Sequence, residues 1–136
     1  MELTEDIIAD ISKEREKYFG CAGKMLMPCP ATVEAFLREI PEKKLITTEL
    51  LQKELATRAG AQVTCPVATR HALQAIAKNG SSVGYWRVVK KNGDLVSYYP
   101  GGREGQARLL AGEGFAIDTR GKAPRVAGFK ESLVRF

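Results

Sequence analysis

Two capped helical patterns, set side by side in the middle of the chain, limit the fold more than any other feature. Thr47-Thr48 offers a capping hydroxyl, Leu51, Leu55 and Ala59 share one face, and Gly60 closes the first pattern. After a turn from Ala61 to Cys65, Pro66 opens a second pattern that runs to Lys78, with Leu73, Ile76 and Ala77 facing inward. Two amphipathic helices joined by a short turn outline a helix-turn-helix. On the second helix Arg70, Gln74 and Lys78 recur every four residues and line one exposed stripe. A cation, an amide and a cation on one face suit phosphates and base edges, while a solvated polar face is the plainer reading of the same stripe.

The charge distribution agrees with a polyanion on that side. Net charge is +5, but residues 1–40 carry −3 and residues 41–136 carry +8. All of the positive excess therefore follows Ile40, as expected where that part meets nucleic acid. A chain of 136 residues fits one domain with a core of its own. No apolar run approaches the ~18 residues of a membrane span. The acidic start, with Glu2, Glu5, Asp6 and Asp10, is unlike a signal peptide, so a cytoplasmic protein without a membrane partner is expected. Cys21, Cys29 and Cys65 are an odd set without C-x-x-C spacing, and His71 is the only histidine. These read as small buried thiols of a reducing compartment; neither a metal nor a cofactor is expected.

The flanks complete the outline. Residues 4–19 read as a helix capped by Thr4 and ended by Gly20, with Leu3, Ile7, Ile8 and Ile11 on one face; residues 20–29 read as a loop. A helix should begin near Pro30, bury Val33, Phe36, Leu37 and Ile40, and stop at Pro41. Trp86 to Lys91 and Asp94 to Tyr99 around Asn92-Gly93 read as a hairpin with a type I′ turn. Residues 103–112 read as a helix with Leu109 and Leu110 inward, and a strand is expected near Val126–Phe129. The fold class is mainly α with a small β-hairpin.

The order of these parts resembles the DNA-binding domain of the alkylguanine-DNA alkyltransferases. Val33-x-x-Phe36-Leu37-x-x-Ile40-Pro41 and Leu45-Ile46-Thr47-Thr48 resemble its opening, and Ala68-Thr69-Arg70-His71-Ala72 its recognition helix. Val83-Gly84-Tyr85-Trp86-Arg87-Val88-Val89 stands where the family reads I-P-C-H-R-V-V. Tyr99-Pro100-Gly101-Gly102 stands at its Y-S-G-G, and Leu109-Leu110-Ala111-Gly112-Glu113-Gly114 at its L-L-x-x-E-G. The match spans residues 30–117, leaving residues 1–29 and 118–136 as extensions. The resemblance implies a winged-helix-like, monomeric domain that grips double-stranded DNA by the minor groove and turns an alkylated guanine out of the stack. Arg70 would fill the vacated gap, with a plain phosphate contact as its simpler role. Thr47, Thr48, Gln74 and Lys78 would lie on the DNA side, and Tyr85, Trp86, Tyr99, Gly101 and Gly102 around the base pocket.

The departures bear on chemistry. The family's nucleophilic cysteine is Tyr85 here and its activating histidine is Trp86. A phenol titrates near ~10 and is a hard nucleophile, while an indole accepts no proton, so self-alkylation is not expected. Glu113 matches the relay glutamate but has no imidazole to orient, leaving it to pair with a donor such as Arg87. The family's phosphate-pushing tyrosine is Thr48, and its guanine-contacting serine is Pro100, which has no donor. A subset, the alkyltransferase-like proteins, lacks the cysteine, binds alkylated guanine without repairing it and flags the lesion. An aromatic at position 85 is similar to that subset, which implies DNA repair and a nucleotide-excision-repair protein as partner. Two rivals stay open: a helix-turn-helix regulator with a vestigial pocket plugged by Tyr85 and Trp86, and an alkyltransferase using Cys65 or Cys29.

Overall fold

Residues 3–135 are described by a computed structural model, and they begin with a strand where a helix is expected. The chain forms β1 (Ile7–Asp10), α1 (Lys13–Phe19), β2 (Lys24–Met27) and α2 (Pro30–Leu37). Apolar residues at 7, 8 and 11 fit a helix by spacing, yet Ile7 and Ile8 are 43% and 51% exposed and only Ile11 is buried. Antiparallel pairing with β2 decides the conformation, with Ile7 opposite Met27 and Asp10 opposite Lys24. The helix is confined to α1, capped by Ser12 and ended by Gly20. The expected loop over 20–29 contains β2, whose Met25 and Leu26 are buried.

The helix-turn-helix comes next. Strand β3 (Ile46–Thr47) leads into α3 (Thr48–Ala59), with Thr47 as the cap: its hydroxyl accepts from the Leu50 N–H at 3.2 Å. The turn carries β4 (Val63–Thr64), and α4 (Pro66–Lys78) follows. Strand β4 pairs in parallel with β2, giving a sheet of order β1-β2-β4 that joins the N-terminal segment to the turn. Leu26, Val33, Phe36, Leu37, Leu51, Leu55, Leu73 and Ile76 share one core between α2, α3 and α4. Helix α2 stops at Leu37, earlier than expected, although Ile40 is still buried.

Beyond α4 the expected hairpin over 86–99 does not form. Tyr85–Arg87 make a 3-10 turn, and β5 (Val88–Val89) pairs in parallel with β3. A type I′ turn needs positive φ at both central residues, and here only Gly93 has it, at 81°. The loop closes instead through Lys90 N–H to Asp94 at 2.9 Å and Gly93 N–H to Lys90 at 2.8 Å. Helix α5 (Gly102–Gly112) buries Leu110 and Gln106, whereas Leu109, expected inward, is 40% exposed. The strand expected near Val126–Phe129 is β7 (Arg125–Val126), which ends at Val126 and pairs with β6 (Ile117–Asp118), and Phe129 opens a 3-10 turn. Among the described residues no helix is long and apolar enough to cross a membrane.

Helix α5 passes close under the preceding loop. A Cβ at Gly105 would lie 2.8 Å from the Pro100 carbonyl oxygen. Gly→Ala inside a helix ordinarily stabilises by about 0.5–1 kcal/mol. Gly105→Ala is expected to do the opposite and destabilise by about 1–3 kcal/mol, read as a lower midpoint in denaturant titration.

Candidate nucleic-acid interface

Helix α4 owes its outward face to the position of the core. Leu73, Ile76 and Ala77 turn inward, which leaves Val67, Arg70, His71 and Lys78 exposed and Gln74 half-buried. This face floors a groove of about 810 Å3. One bank is Tyr98-Tyr99-Pro100, tied to the helix where the Gln74 amide donates to the Tyr98 carbonyl at 3.3 Å. The other bank is Leu3, Arg15, Met27, Pro28 and Pro30. It is held by Ile11 and Met25 packing on Cys65 and Ala68 at the start of α4. Arg15, His71 and Lys78 line the groove, and among the described residues no carboxylate does.

A run of aromatic rings leads away from the groove. Tyr98 meets Tyr99 edge-to-face at 5.2 Å, Tyr99 meets Tyr85 at 4.8 Å, and Tyr85 meets Trp86 at 5.2 Å. Tyr99 is 3% exposed and its hydroxyl donates to the Tyr85 carbonyl at 2.9 Å. Burial pushes the Tyr98 phenol up to about 12, against the opposing pull of the Arg70 charge.

At the far end lies a carboxylate knot. The Trp86 indole N–H donates to Glu113. Arg87 Nε donates to the same carboxylate at 3.0 Å, and the Lys43 N–H at 2.8 Å. The Arg87 guanidinium also reaches the Ile40 carbonyl at 2.9 Å. Gly84 makes room for it, since a Cβ there would stand 2.6 Å from that guanidinium. Burial alone would raise the Glu113 pKa, but the hydrogen bonds from Lys43, Trp86 and Arg87 outweigh it and hold the carboxyl below its ordinary range.

The residues singled out by sequence thus fall into separate places. Gln74, Lys78 and Tyr99 line the groove, with Arg70 exposed on the same helix beside Tyr98. Trp86, Arg87 and Glu113 gather in the knot, and Tyr85 stands half-buried between the two groups, lining neither bank. Thr47 is occupied as a helix cap, and Thr48 opens α3; neither lines the groove. Gly101 and Gly102 take φ of 81° and 64° at the start of α5, where they shape the turn. Sequence reasoning missed Tyr98, His71 and the whole N-terminal bank. It also missed Gln106, whose spacing of four from Leu110 was the available signal of an inward position.

All three thiols are free, and Cys21 packs against the cluster that contains Cys65. Cys29 and Cys65 are 5% and 3% exposed, and Cys21 is half-buried. Cys65 Sγ reaches one end of the groove but is engaged by the Ala68 N–H at 3.5 Å and Arg15 at 3.8 Å. Among the described residues no group of three or more His, Cys, Asp or Glu side chains comes together.

Because the folded state holds Glu113 below its unfolded pKa, its ionised form stabilises the fold. That contribution is fully present above the ordinary glutamate pKa near ~4.3 and is lost as pH falls through the depressed folded value. The wild type should therefore exceed Glu113→Gln in stability at pH 7. Denaturation midpoints measured across pH should show that margin narrowing below the ordinary glutamate pKa.

No protein-family model and no curated protein matches the sequence. Solved structures do. One is a crystal structure of S. pombe Atl1 in complex with damaged DNA containing O6-carboxymethylguanine; another is of S. pombe ATL in complex with DNA. Each has a TM-score of 0.58 and 22% identity, covering 79% of this chain and 94% of that chain. The chain shares the fold of these alkyltransferase-like structures.

Proposed function

We propose that this protein binds duplex DNA without catalysis, holding an alkylated guanine turned out of the stack, and serves in DNA repair. The observation that carries the reading is the groove along α4. It combines His71 and Lys78, an aromatic bank and, among the described residues, a lining free of carboxylates, with Arg70 exposed on the same helix, in the fold of a protein solved with damaged DNA. Arg70 fills the gap left by the base, and Lys78 meets the phosphate backbone. No step of alkyl transfer is assigned. By the sequence resemblance Tyr85 takes the place of the nucleophilic cysteine, the Trp86 indole N–H is given to Glu113, and Cys65 is buried with its sulfur already engaged.

The test is a binding titration with two duplexes of one sequence, one carrying O6-carboxymethylguanine and one guanine. The wild type should favour the lesion duplex, and intact-mass spectrometry after incubation should show no added mass. Arg70→Ala should lower lesion affinity more than tenfold, the scale of a lost charge-assisted contact of about 1.5–3 kcal/mol. Lys78→Ala should weaken both duplexes alike and make the salt dependence shallower. Equal affinity for both duplexes would replace this reading with a sequence-specific regulator, and mass gained on a cysteine would make the protein an enzyme.

A further inference from the structure

We propose that Tyr98 is the ring on which the extruded base stacks, a role the resemblance would give to position 85. This rests on the groove being the base-receiving site. Each other ring in the run is already committed. The Tyr85 ring has both Tyr99 and Trp86 against it and lines no part of the groove. Trp86 is turned to Glu113, and Tyr99 is buried with its hydroxyl spent on the Tyr85 carbonyl.

Tyr98 packs against the same core as Tyr85 but differs from it in place. It lines the groove, and among the described residues its hydroxyl makes no hydrogen bond. Its backbone is fixed by Gln74, and the edge-to-face contact with Tyr99 leaves at least one face of the ring clear of that neighbour. Aromatic faces bind bases of any identity because every base has a π-face, and a pre-oriented ring loses little freedom on binding. Connectivity points the same way. An extruded base stays attached to its backbone, so its receptacle must lie within a nucleotide's reach of the side chain that takes its place. Arg70 is near enough to Tyr98 for its charge to act on the phenol. That phenol stays neutral throughout the working pH range, so it brings no negative charge to the DNA.

The experiment measures the ratio of affinities for the O6-carboxymethylguanine duplex over the guanine duplex in wild type, Tyr98→Phe, Tyr98→Leu and Tyr85→Leu, each checked for folding by thermal melting. Tyr98→Phe keeps the face and should hold the ratio within about twofold, whereas Tyr98→Leu should lower it about tenfold, the scale of one lost base stack. Tyr85→Leu should leave the ratio unchanged. A second measurement needs no destabilised variant: in wild type labelled with 3-fluorotyrosine, the 19F resonance of Tyr98, assigned through Tyr98→Phe, should shift on the lesion duplex and not on the plain one. A wild-type ratio near one overturns the proposed function itself, and this inference with it. A high wild-type ratio that folded Tyr98→Leu leaves intact, or a lesion-specific shift at Tyr85 without one at Tyr98, overturns this inference alone.

Discussion

One buried amide holds the region between α4 and α5 in shape. Residues 79–101 contain only a 3-10 turn and a two-residue strand, so few of their backbone groups have a ladder partner. Buried N–H and C=O groups must nonetheless be paired. Gln106, 1% exposed, donates to the Trp86 and Val88 carbonyls at 2.9 and 2.9 Å and accepts from the Val96 N–H at 2.7 Å. It fastens the segment before the Lys90–Asp94 turn and the segment after it to the same helix. The separation of Tyr85 and Trp86 from Tyr98, and so the division between knot and groove, depends on that attachment.

The Glu113 knot shows what happens to this corner when it carries no thiol and no imidazole. A carboxylate taken largely out of water is favourable only with several donors around it, and Glu113 has three, from Lys43, Trp86 and Arg87. An indole can only donate, so the carboxylate beside it becomes an anchor and no proton relay is possible. The anchor holds Lys43 at φ 68°, the only positive value outside glycine among the described residues, where the chain turns toward β3. From there β3 runs directly into α3, so the knot also fixes where the helix-turn-helix starts.

The N-terminal segment contributes one bank of the groove. Residues 1–40 carry −3, yet among the described residues no carboxylate lines the bank they form. Asp6 accepts from the Cys29 N–H at 2.8 Å and from the Thr32 hydroxyl at 2.9 Å, and Asp10 pairs with Lys24. These two charges are spent inside the segment. The parallel pairing of β2 with β4 then joins the bank to the turn of the helix-turn-helix.

The central helices were legible because their signals are local. A capping threonine, a terminal glycine, a proline at the first helical position and a 3.6-residue apolar period identify α3 and α4 without reference to the rest of the chain. Motif order likewise led to the fold. What sequence could not decide was whatever depends on a distant partner. Ile7 and Ile8 fit a helix or a strand by spacing, and only β2 selects the strand. Asn92-Gly93 suits a hairpin, but Val88 and Val89 pair in parallel with β3, far back in the chain, and the hairpin is lost. The same holds for the candidate site: the stripe on α4 follows from periodicity, while the banks that face it are assembled from segments on either side of it in the chain, before residue 31 and after residue 97. Local chemistry determined the helices, and tertiary pairing decided which rings face the groove.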